Sequence, residues 1–332
     1  MGRVLAKGRH KFTRTETFPM KPFSSLTRGL GRLKGTRLPK RAVPLAQRLG
    51  FAPDAKLLIV HVNDLGLTQS VNASFIRGQQ LGVINSGSAM VPCPAFDEIA
   101  DFARQHPDAD IGLHLTLTSQ RADMRCASAA PAGLIPSLVD HQGYLREEWS
   151  KDRAVVPAEV EIEIRAQIEK ARAAGLNPTH IDSHQFKLQM AGKGLFETYI
   201  RVSRDYDLPL LVSREWFVKF PDLQSLLEPR DIVLDRVKTI SSRVRPGQWS
   251  AYYREVLEHL PSGVSEILIH PAYDDEDTRA FFGKREEWGA AWRQRDYDFF
   301  SGSAFRQIIA KQHIKLITWR DITLKLKQGR VG

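Results

Sequence analysis

From about Lys56 to the C-terminus, short apolar runs alternate with helical segments, and this alternation limits the fold more than any other feature. The runs are KLLIVHV (56–62), INSGSAMV (84–91), DIGLHLTLT (110–118), NPTHIDSH (177–184), LPLLVS (208–213), SEILIHP (265–271) and IKLITW (314–319). The first has the near-continuous aliphatic character of a parallel strand buried on both faces. Between the runs lie segments with helical spacing. Val71, Phe75, Ile76 and Leu81 recur through 68–83, where Ser70 is expected to cap the start and Gly82 to end the helix. Further helices are expected at 95–107, 157–175, 194–206, 248–261 and 303–313. Residues 274–300 predict a polar loop leading into a helix, and a short basic helix ends the chain. Parallel strands need such crossovers. About seven βα units predict an α/β fold, specifically a (β/α) barrel related to the TIM barrel. An open doubly wound sheet is the competing arrangement. Residues 119–156 lack periodicity and are expected to form a long insertion, and 214–248 are ambiguous.

Charge divides the chain in two. The net charge is +10, but residues 1–50 hold thirteen Lys/Arg and one acid, Glu16, which leaves the remaining 282 residues at −2. The expected organisation is therefore a basic, disordered N-terminal extension (1–50) followed by one domain (51–332). A basic tail can touch phosphates weakly, but the slightly acidic body argues against a nucleic-acid-binding domain. The first 44 residues have no continuous apolar core of the secretory type, so the cytoplasm is the expected location. No stretch approaches the roughly 20 apolar residues that span a bilayer, so no membrane partner is expected. Cys93 and Cys126 form neither a CxxC pair nor a disulfide framework, and two buried hydrophobes are expected.

Polar residues that interrupt or end the strands carry the chemistry. The first run ends in His61, Asn63 and Asp64; the third contains His114; the fourth contains His180, Asp182 and His184; the sixth ends in His270. Of the nine histidines beyond residue 50, five lie in these stretches. A single strand histidine is more often a hydrogen-bonded core residue than a ligand. In a barrel, however, strand C-termini converge on one mouth. Imidazole and carboxylate together form the ordinary coordination set for Zn²⁺ and similar ions, and a catalytic site needs about three such ligands. The HxxxH spacing at 180–184 puts both rings on one face if the strand runs through it. Such a site suits amide hydrolysis, with His270 as the acid. Trp288, Trp292, Tyr297, Phe299 and Phe300 fit core better than a sugar platform, and Arg293, Arg295 and Asp296 fit a solvated helix face.

HVNDLGLTQSVN (61–72), SAMVPCPAF (88–96), DADIGLHLTLTS (108–119), PTHIDSH (178–184) and ILIHPAYDD (267–275) together resemble the YdjC/ChbG (ChbG/HpnK-type) carbohydrate deacetylase family over roughly residues 56–322. WRQRDYDFF (292–300) and LITWRDI (316–322) resemble the C-terminal part of one branch. The resemblance implies a barrel-like fold, one divalent metal ion (Mg²⁺ or Zn²⁺), an N-acetylated sugar or oligosaccharide as substrate, and a hydrolase of C–N amide bonds in carbohydrate metabolism. It implies Asp64, His114 and His184 as metal ligands, with His180 as the alternative third. It implies His270 as acid or electrostatic partner and Asp182 as the group that orients a histidine. Self-association is common among barrel hydrolases. At Asn63 the family usually has Asp, its expected base. An inactive or weakly active relative that still binds metal or sugar is therefore the alternative reading.

Overall fold

The computed structural model describes residues 43–119, 124–149 and 153–328. Seven parallel strands form one sheet: β1 Lys56–Leu65, β2 Ser86–Ala89, β3 Ile111–Leu115, β4 Ile181–Ser183, β5 Arg236–Thr239, β6 Gly263–Ile269 and β7 Ile314–Leu316. The order is β4-β3-β2-β1-β6-β5, and β7 pairs with the start of β1. Longer helices cross between them: α1 Gln69–Gln80, α2 Phe96–Gln105, α3 Pro157–Ala173, α4 Lys193–Asp205, α5 Trp249–Glu258, α6 Ala290–Ser301, α7 Ser303–Lys311 and α8 Trp319–Gln328.

Two expectations about strands change. Residues 208–213 make only isolated parallel bridges, Leu210 with Ile181 and Ser213 with Leu234. Pro209 has no N–H to donate, so a regular ladder cannot run through it. These bridges nevertheless link β4 to the chain just before β5, and so connect the two edges of the curled sheet in a barrel-like ring. The open doubly wound alternative does not fit that link. The seventh strand is β5, from the segment the sequence left ambiguous.

Strand alternation divides the interior from the outside. Leu58, Val60 and Val62 join the large core under the helices, whereas Leu57 and Ile59 join a second core with Trp216, Leu268 and Trp319. On that second, inward side, β1 continues with His61 and β6 carries Glu266, both buried. The ring interior is therefore polar in its middle.

The expected boundary at residue 50 falls inside packed structure. Leu45, Ala46 and Leu49 are buried in the second core, so the body begins upstream of residue 51. Residues 1–42 of the expected extension lie outside the described residues. In the insertion, the described part is tied to α3: Glu163 accepts hydrogen bonds from the Ala129 and Ala130 amides. The α1 cap is Thr68, whose Oγ1 accepts from Val71 N at 3.3 Å. Ser70 instead donates to Asp275 Oδ2 at 2.8 Å, and its amide donates to Asp277. This draws the chain after β6 onto the corner after β1. Both cysteines are buried, as expected of small core residues.

Candidate metal centre

Adjacent residues of a regular strand point to opposite faces. Asn63 and Asp64 both face the site because β1 is irregular there. Val62 pairs with Gly87 and Leu65 with Ala89, so three steps on β1 oppose two on β2. This is a β-bulge, a device that re-aims side chains beside active sites. Asp64 takes up the extra residue with φ +66°, a left-handed conformation that Asp tolerates better than most residues. Gly66 follows at φ +84°, where a Cβ would meet the Phe96 backbone at 3.0 Å. The turn fixes where the carboxylate points.

Asp64, His114 and His184 converge, each buried, with donor atoms within 4.8 Å of one another. His114 Nε2 and His184 Nδ1 each lie 3.5 Å from Asp64 Oδ1, and 3.1 Å apart. His114 Nδ1 meets Asp182 Oδ1 at 2.7 Å. That bond holds a proton on Nδ1 and leaves the Nε2 lone pair facing Asp64. Asp64 Oδ1 is buried and accepts no hydrogen bond among the described residues. A buried carboxylate oxygen without a partner is costly unless a cation completes it. The three donors therefore fit a divalent ion. Burial pushes the Asp64 carboxyl upward, but Arg293 and the neighbouring imidazoles outweigh it and hold the group well below the usual carboxylate range. Burial drives His184 down, which keeps its ring neutral as a ligand requires.

His270 stands beside this set. Asn63 Nδ2 donates to His270 Nε2 at 3.4 Å, and Trp288 packs edge-on against the ring at 4.8 Å between centroids. Burial lowers the His270 pKa to about 3. Asp296 holds the His270 backbone amide at 2.9 Å and also accepts from Trp249 Nε1 and Tyr253 Oη.

His180 does not join the Asp64 set. β4 ends at Ser183 and His184 opens a 3₁₀ turn with Gln185 at φ 55°, so the HxxxH pair does not lie along one strand. His180 groups with His61 and Asp182. It stacks on Trp319 at 5.1 Å, in space that Gly112 leaves open.

The sequence model for YdjC-like proteins matches residues 57–311. The chain belongs to the YdjC family. Two relatives of this YdjC-family protein are named carbohydrate deacetylase. That from Brevibacillus brevis is 28% identical, with 80% of this chain and 99% of the relative covered. That from Thermus thermophilus is 31% identical, with 84% and 97% covered. A solved structure from Enterococcus faecalis, a proposed cellobiose-phosphate cleavage protein, superposes with a TM-score of 0.68 at 26% identity, covering 81% of this chain and 99% of that one.

In this YdjC-family protein Arg293 corrects the solvated-face expectation for α6. Its Nη2 donates to Asp64 Oδ2 at 2.7 Å, with both side chains buried, and its Nε donates to Trp288 O. Asp296 is likewise fully buried. Trp292, Phe299 and Phe300 are core, as expected, and Trp288 borders His270. The one signal that could have found Arg293 is its place in the WRQRDYDFF stretch of the family resemblance. Among the described residues, no helix is long and apolar enough to cross a membrane.

Proposed function

We propose that the protein is a metal-dependent hydrolase that removes the N-acetyl group from an amino sugar or oligosaccharide. The observation that carries this reading is the convergence of Asp64, His114 and His184 around a buried carboxylate oxygen that accepts no hydrogen bond among the described residues. The carbohydrate deacetylases among its relatives support the substrate class. A divalent ion held by these three residues would supply Lewis-acid activation of the amide carbonyl and of a water. Asp182 keeps the His114 lone pair outward, and Arg293 holds Asp64 by its second oxygen. His270, neutral and hydrogen-bonded to Asn63 in the resting fold, takes the proton lost by the attacking water and returns it to the amine nitrogen as the C–N bond breaks. Asn63 can donate or accept a hydrogen bond but cannot take a proton, so it serves orientation.

Asn63 also favours a second reading, a relative that binds metal and sugar but turns over slowly or not at all. Losing a general base costs about 10²–10⁴-fold in rate. Metal analysis of the purified protein and acetate release from N-acetylglucosamine oligomers separate the two. Bound divalent ion with acetate release is expected, and Asn63→Asp should raise the rate. Ion without acetate release in either form moves the assignment to the binding reading. Absence of any bound ion overturns the metal reading.

A further inference from the structure

Behind the metal centre lies a second buried group that the proposed reaction does not use. His61 sits on β1 inside the ring with no exposure. Its Nε2 lies 3.3 Å from Asp182 Oδ2 and 2.9 Å from Ser88 Oγ. Its Nδ1 lies 3.2 Å from Glu266 Oε1 and 3.0 Å from Ser86 Oγ. Each serine hydroxyl has a carboxylate of its own to donate to. Ser88 donates to Asp182 Oδ2 at 2.9 Å, and Ser86 hydrogen-bonds to Asp110. Both ring nitrogens therefore face acceptors, and an imidazole satisfies two acceptors only when both nitrogens carry protons. The other titratable groups around it are Asp110 and His180, whose ring lies 5.1 Å away edge-on. Burial works against a charge on His61, but Glu266 and Asp182 outweigh it and raise its pKa.

The arrangement is continuous. Trp319 Nε1 donates to Glu266 Oε1 at 3.1 Å; Glu266 meets His61; His61 meets Asp182; Asp182 holds His114 at 2.7 Å. Trp319 opens α8, beyond the stretch that matches the family. We propose that His61 is a fixed imidazolium that, anchored by Glu266, acts as a positioning residue for His114 through Asp182. An imidazolium on Asp182 Oδ2 fixes the rotation of that carboxylate, and the other oxygen then sets the tautomer and tilt of the His114 ring. The proposal rests on the metal reading of Asp64, His114 and His184. Partners at this remove from a metal typically change its affinity by roughly 10–100-fold.

The test has two arms on the full-length protein. In the first, ¹⁵N-histidine NMR of the EDTA-treated protein reports the protonation of each ring. His61, assigned by the loss of its signals in His61→Gln, should carry protons on both nitrogens at neutral pH. One bare nitrogen overturns the proposal. In the second, Zn²⁺ affinity is measured by competition for wild type, His61→Gln, Glu266→Gln and His180→Asn, each first shown to melt cooperatively. His61→Gln and Glu266→Gln should weaken Zn²⁺ roughly 10–100-fold. His180→Asn, at an equally buried neighbour that packs on His61 and Trp319 but has no hydrogen bond to the chain of contacts among the described residues, should stay within about threefold of wild type. Equal losses in all three indicate general damage to the interior and overturn the positioning role. So does unchanged affinity in the first two, even when wild type binds Zn²⁺. Wild type that binds no divalent ion overturns the metal reading and the positioning role together. Should Glu266→Gln not fold, Trp319→Phe removes one donor to Glu266 and should give a smaller loss in the same direction.

Discussion

Asp64 is held from two sides, by a left-handed turn in the backbone and by Arg293 on the side chain. Both charges are buried, so removing the cation strands the anion. Breaking a buried pair in this way costs about 3–5 kcal/mol. Arg293→Met is expected to destabilise the metal-free protein by about that amount, and saturating Zn²⁺ should recover part of it by replacing the lost counter-charge. Denaturant melts with and without the ion check this; equal losses in both would show that Arg293 does not act with the ion on the Asp64 carboxylate. The two partners differ in how far the sequence reveals them. Asp64 follows an aliphatic run and precedes Gly, a local pattern. Arg293 lies 229 residues away in a helix whose charges suggest solvent, and only packing against the ring mouth buries it.

Elements are legible where their burial is uniform. β1 and β6 are buried almost throughout and follow directly from their aliphatic runs. β5, RVKT, has one fully buried residue out of four, because three of its side chains reach the edge of the fold. Its hydrophobic signal is too short to be seen. LPLLVS has the opposite fault: its side chains are buried, but Pro209 denies it a ladder. The helix Leu45–Arg48 is similarly hidden in the basic N-terminal half-hundred, since Leu45 and the capping Leu49 are surrounded in sequence by arginines and prolines. Its packing gives a direct expectation. Leu49 is 3% exposed in the second core, so Leu49→Ala should cost about 2–5 kcal/mol. A melt unchanged within 0.5 kcal/mol (roughly the surface-substitution range) would place residues 45–49 outside the cooperative unit.

At the scale of the molecule, the ring interior departs from the aliphatic layers usual in such barrels. Its polar filling joins the candidate metal centre to the C-terminal helix, and it makes stability depend on pH from both sides. On the acid side the group is His270, which burial holds near pKa 3 in the fold, against about 6.5 in the unfolded chain. Above 6.5 the ring is neutral in both states. As pH falls below 6.5, the unfolded chain takes a proton that the folded one refuses, so stability is lost at up to about 1.4 kcal/mol per pH unit until about pH 3. On the alkaline side the group is Glu266, which burial raises to about 7. Its carboxyl keeps its proton to higher pH in the fold than in the unfolded chain, so its contribution is complete below the ordinary carboxylate pKa and is lost as pH rises through about 7, where the group becomes the anion that faces His61. His61, raised by its carboxylates, acts in the same direction. The EDTA-treated protein is therefore expected to be most stable in mildly acidic buffer. Between about pH 4.3 and 6.5 the slopes of the two groups oppose each other, so His270→Gln should leave stability falling as pH rises through that window, and Glu266→Gln should leave it rising. Denaturant midpoints from pH 4 to 8 measure both limbs. Curves that merely shift down in parallel with wild type would show that neither group titrates within the fold as its burial requires.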